Sequence, residues 1–240
     1  MLKKVTLAIA ITGLMAGVAF AGTAAKSGVN GSKHDMNTMA GGVDDAYGRT
    51  CAFCHTPHNA QTSLNGPLWN RAESTVTVAP YVWKATLNTV AFQADPATGP
   101  SRLCLSCHDG SIAVDSHGSN GSQAGAAKLT GATKILDMTI THPIGFDYNA
   151  AATARTSTEI VPSTAKFLDS ASASFDTHAR VAGTGKTIAG TLFNGNIMTC
   201  ASCHEVHNTT NAAPTGATAY NFFLTAPQEG SAICLSCHVK

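Results

Sequence analysis

The sequence predicts a mostly irregular fold of short helices with little sheet, wrapped around four covalently held groups that stand in for an ordinary core. Three observations predict it. All eight cysteines lie in Cys-x-x-Cys-His pentapeptides. Of the 240 residues only 6% are aromatic and 12% charged, with 22 glycines, so large apolar side chains are too few to build a core unassisted. The stretches between the pentapeptides are rich in Gly, Ala, Ser and Thr and carry no sustained 3.6-residue periodicity.

Residues 1–21 read as a secretory signal: Lys3 and Lys4, an apolar run from Val5 to Val18, then Ala19-Phe20-Ala21 before Gly22. The run is short for a membrane span and ends in a small-residue cleavage pattern. Residues 22–50 are Gly-rich and read as a flexible N-terminal arm. Residues 51–240 read as one domain. Within it Cys51-to-His58 matches Cys200-to-His207, and Ser101-Arg-Leu before Cys104 matches Ser231-Ala-Ile before Cys234. Two modules, at about 50–110 and 195–240, are therefore joined by a long loop region. Short strands or helices are expected in that region near Lys134–Ile140 and Ser163–Ser170.

The pentapeptides carry the chemistry. Cys51/Cys54, Cys104/Cys107, Cys200/Cys203 and Cys234/Cys237 place two thiols on one side of a helical turn, each able to form a thioether to one haem vinyl. The next residue, His55, His108, His204 or His238, sets an imidazole beneath the iron as proximal ligand. Disulfides or zinc knuckles also use paired cysteines, but neither explains a histidine after every second cysteine. Four haem c groups follow, and the fold class is that of a multihaem cytochrome c. An exported chain agrees with this, because haem is joined to thiols outside the cytoplasm. The formal charge of +1 gives no basic footprint for nucleic acid.

Six further histidines can occupy the other side of the irons: His34, His58, His117, His142, His178 and His207. Closing all four leaves no position for a substrate, which makes an electron carrier rather than an enzyme. His58 and His207 each lie three residues after a proximal histidine. From there a side chain cannot reach the far face of the same iron, so each must serve a different haem. His142 is held in an extended stretch by Pro143. His34 completes the distal set, with His117 and His178 as alternatives. Met36, Met39, Met138 and Met198 are the minority option as axial ligands.

Lys33-His34-Asp35, Cys51-Ala-Phe-Cys-His-Thr-Pro-His-Asn-Ala60, Gly66-Pro-Leu-Trp-Asn70, Cys104-Leu-Ser-Cys-His-Asp-Gly110, Thr141-His-Pro-Ile-Gly145, Leu192-Phe-Asn-Gly195 and Cys234-Leu-Ser-Cys-His238 together resemble multihaem cytochromes of metal-reducing bacteria. In haem count, order and length the chain is most similar to the extracellular tetrahaem c-type cytochromes that polymerise into haem-stacked nanowires. That resemblance implies bis-histidine haems in an unbroken chain and a homopolymer in which a histidine of one subunit ligates an iron of the next. It also implies electron delivery to other redox proteins and to extracellular metal oxide or electrode-like acceptors. His34 on the arm is then the expected donor of the intersubunit bond, since 17 residues can extend about 55 Å against a radius of gyration of about 17 Å. Localisation is expected to be extracellular or outer-membrane-associated. A monomeric periplasmic shuttle is the alternative, and a multihaem reductase ranks last because no Cys-x-x-Cys-Lys variant occurs.

Overall fold

The computed structural model describes residues 28–42, 44–61, 68–72, 74–81, 95–118, 125–139, 141–155, 158–171, 175, 184–208 and 222–240. The expected signal at 1–21, the start of the arm and His178 lie outside them. Among the described residues five short helices carry the regular structure: α1 (Pro100–His108), α2 (Tyr148–Arg155), α3 (Ile188–Thr191), α4 (Cys200–Cys203) and α5 (Ala232–Leu235). A two-stranded antiparallel sheet pairs β1 (Phe146–Asp147) with β2 (Ile197–Met198). The rest is turn and irregular chain with a few single 3₁₀ turns, as the composition predicts for a short-helix, low-sheet fold.

α1 begins where Pro100 sets the first helical φ and ends on Asp109. Gly99 precedes it at φ 56°, and a Cβ there would meet the Phe193 ring at 2.7 Å, so only glycine fits. The helix contains the whole second pentapeptide. α4 is tied to it by the Cys200 amide, which donates to the Ser101 hydroxyl at 3.0 Å. β2 runs directly into Thr199 and Cys200, and its pairing with β1 (Phe146 opposite Met198) joins the third pentapeptide to the loop region.

That region is largely loop, as expected, but its regular elements lie elsewhere than anticipated. The described residues 134–139 and 163–170 form turns and isolated bridges (Ala79 with Asp137, Lys166 with Thr187) rather than helices or strands, and Ile140 lies outside the described residues. The helix lies at Tyr148–Arg155, where the small residues Ala150, Ala151 and Ala152 hide it from a hydrophobic periodicity count but give it high helix propensity. An apolar core also exists. Phe146, Tyr148, Ala151, Phe167, Phe175, Ile188, Leu192 and Met198 form a buried cluster with Leu105 and Ala226, and a smaller one joins Met36, Phe53 and Val114. The few large side chains are thus concentrated rather than dispersed. Met36, Met138 and Met198 are packed in these clusters and Met39 lies against the smaller one, as core residues.

The arm is packed. Asp35 caps the turn Met36–Thr38 and accepts from the amides of Gly31 and Asn37 and from the Thr50 hydroxyl. Asp45 accepts from the Tyr47 and Arg49 amides and from the Arg49 guanidinium, whose Nη2 lies 2.6 Å from Oδ1. Among the described residues no helix is long and apolar enough to cross a membrane.

Candidate functional site

Each pentapeptide is stitched by backbone hydrogen bonds to a segment from elsewhere in the chain. In the first, Thr56 N–H donates to Leu68 O and Asn70 N–H to Cys54 O, both at 2.8 Å. In the third, Glu205 N–H donates to Phe223 O at 2.8 Å and Thr225 N–H to Cys203 O at 2.9 Å. The sequence repeat therefore extends to the returning segments, with Leu68 and Phe223 at the same left-handed position (φ 55° and 58°) and Trp69 matched to Leu224. In the fourth, Val161 N–H donates to Cys237 O and Val239 N–H to Glu159 O. In the second, Ile135 N–H donates to His108 O at 2.5 Å. These returns hold the imidazoles in place.

Backbone carbonyls also orient the rings. Nδ1 of His108 lies 2.9 Å from Thr133 O, that of His204 2.7 Å from Phe222 O, and that of His142 2.9 Å from Pro143 O. An Nδ1–H engaged this way leaves Nε2 as the lone-pair donor.

Three proximal histidines face a second histidine. Ring centroids are 6.2 Å apart for His34 and His108, 6.1 Å for His55 and His207, and 6.2 Å for His142 and His238. Two imidazoles bound to one metal from opposite sides, with bonds of about 2 Å and about 1 Å more from each nitrogen to its ring centre, require a separation of about 6 Å. The residues present therefore fit an iron between each pair. Burial, followed by the neighbouring imidazoles of His108 and His204, pushes His34 down to about 4, so its ring is neutral. Burial also lowers His238, with His142 next in effect.

The remaining candidates are placed differently. His58 is exposed. His117 is buried, with Nδ1 2.8 Å from Asp115 O and Nε2 3.5 Å from Asp45 Oδ1, so both ring nitrogens face oxygens. It fastens the arm to the loop after α1. The ring of His34, the expected intersubunit donor, lies 6.2 Å from that of His108 of its own chain, where Asp35 ties the arm to Thr50 beside the first pentapeptide. Sequence reasoning missed the returning segments altogether, since nothing local marks Leu68–Asn70 or Phe223–Thr225 as partners of a haem motif.

None of the eight cysteines is in a disulfide. Burial pushes Cys54 and Cys203 up to about 12 and Cys237 up to about 11. Cys51 and Cys234 are exposed, and a hydrogen bond with Cys104 lowers Cys200 to about 7. Among the described residues no group of three His, Cys, Asp or Glu side chains is placed to hold a metal ion directly.

The pentapeptides and the oriented imidazoles define a haem c-binding protein of the electron-carrier class. Residues 194–240, holding the third and fourth pentapeptides, match the family described as the doubled CXXCH motif. No curated protein matches the chain.

Proposed function

We propose that this protein is an exported tetrahaem c-type cytochrome that polymerises into an extracellular electron-conducting filament. Cys51/Cys54, Cys104/Cys107, Cys200/Cys203 and Cys234/Cys237 attach the four haems, with His55, His108, His204 and His238 proximal. His207, His34 and His142 serve as distal ligands to the first, second and fourth. Bound haem c supplies a one-electron iron couple. The chain's own work is to hold two neutral imidazoles on each iron, leave no position open to substrate and keep successive motifs adjacent. Cys54 and Cys107 pack against one apolar cluster, the Cys200 amide donates to Ser101 of α1 at 3.0 Å, and Cys200 and Cys237 pack against the larger cluster, which supports a first-to-fourth order along the sequence.

The observation that carries the polymer reading is an imbalance. Three of the expected proximal histidines lie 6.1–6.2 Å from a second histidine ring, whereas among the described residues, which leave out His178, none stands at that spacing from His204. His58, the repeat counterpart of His207, is exposed. An exposed ligand and an incomplete iron on one chain are complementary in the next, so His58 of a neighbouring copy completes the His204 haem. Electrons then pass to redox partners and to extracellular metal oxide or electrode-like acceptors.

The test uses protein secreted by its native host. Denatured mass should equal the polypeptide from Gly22 plus four haems, magnetic circular dichroism should show only bis-histidine low-spin iron, and negative-stain images should show filaments. Monomers with all irons six-coordinate would place the fourth distal ligand within the chain and make this a periplasmic shuttle.

A further inference from the structure

Arg71 is the most deeply buried cation of the described chain, 1% exposed, and no ion pair is recorded for it among the described residues. Its Nη1 donates to the carbonyls of Val114 (2.7 Å) and Ser116, and its Nη2 to Ala113. Its Nε is buried without a partner. The carboxylates nearby in sequence to these carbonyls are turned elsewhere: Asp115 accepts from the Ala126 and Ala127 amides, and Asp109 from Ser74 and Ser111. A guanidinium removed from water with no counter-charge is unfavourable unless an anion joins it.

Its surroundings show where that anion comes from. The neighbouring Asn70 amide donates to Cys54 O at 2.8 Å, and Val114, whose carbonyl Arg71 holds, belongs to the small apolar cluster against which Cys54 and Cys107, the second cysteines of the first two pentapeptides, both pack. Two residues before Arg71 on the same returning segment, the Trp69 indole N–H is also buried without a partner, with its ring 6.2 Å from that of His55. Two orphaned donors, one of them charged, thus lie two residues apart on a segment bonded to the first attachment motif. Each haem carries two propionate carboxylates. The second module lacks the device: by the register of the returns, Trp69 corresponds to Leu224 and Arg71 to Ala226, which is 1% exposed in the apolar cluster.

We propose that Arg71 and Trp69 form the anchoring site for a haem propionate between the first two attachment motifs, and that the fixed charge of Arg71 holds the first module at higher reduction potential than the second. The inference rests on the tetrahaem reading. A buried positive charge favours the ferrous state, which carries one positive charge fewer, so it raises the potential of the irons it faces. Arginine suits the task because its planar fork binds the three carbonyls while Nε still points at a carboxylate.

Potentiometric titration of the haem-loaded full chain tests this, with denatured mass confirming four haems in every sample. Arg71→Met should lower two of the four midpoints and leave the other two in place, whereas Arg71→Lys should keep most of the potential. Trp69→Phe, which removes only the indole donor, should lower the same midpoints by less. Unchanged midpoints in Arg71→Met with four haems attached would overturn the proposal. If that variant does not load haem, unchanged midpoints in Trp69→Phe overturn it instead. A haem-free wild-type chain would sink the tetrahaem reading itself, a separate result.

Discussion

His34 and His108 meet with ring centroids 6.2 Å apart, although one belongs to the N-terminal arm and the other closes α1. The contact is walled by Phe223, whose ring is 4.8 Å from that of His34, so the arm, the first module and the return of the second come together at one imidazole. This packing turns an arm into part of the haem scaffold.

His34→Ala should therefore open the second haem within each chain. Magnetic circular dichroism should show about a quarter of the iron as high-spin, while filaments persist. Loss of filaments together with the open iron would return His34 to the role of an intersubunit ligand.

His58→Ala should act the other way. Secreted protein should carry four haems by mass, remain monomeric in negative stain and show one open iron per chain. Normal filaments from this variant would remove His58 from the interface.

Asp45 holds the arm through charge. Hydrogen bonding from the Arg49 guanidinium holds its carboxyl well below the ordinary carboxylate range. Because the folded value lies below the unfolded one, the stabilisation is present in full above about pH 4 and is lost as pH falls through the folded value. Asp45→Asn should destabilise by about 1.5–3 kcal/mol at pH 7, the usual worth of charged hydrogen bonds. Thermal melts should show that difference constant from pH 7 to 5 and shrinking below pH 4. A difference as large at pH 2 as at pH 7 would assign the loss to packing instead.

Phe175 is fully buried and crosses Phe167 edge to face at 5.7 Å. Truncation leaves a cavity, so Phe175→Ala should cost about 3–5 kcal/mol. Chemical denaturation of the loaded protein measures it, and a loss under 1 kcal/mol would show that the haems carry the fold without this cluster.

Local chemistry by itself determined the attachment sites. Two thiols and an imidazole within five residues need only one helical turn, so Cys104-to-His108 is legible wherever it falls, and α1 and α4 form around such runs. The composition likewise determined a fold of short helices with little sheet. Only the tertiary structure decided which rings meet. His117 and His142 are alike as isolated histidines. One is taken by Asp45 and Asp115 as an arm clamp, whereas the other stands 6.2 Å from His238. The difference lies in where distant segments return, through bonds such as Val161 to Cys237 and Asn70 to Cys54. Backbone pairings of this kind are made by groups every residue carries, so no side chain announces them. The buried charge of Arg71 is set the same way, by three carbonyls at 113–116 that only the folded chain brings to it.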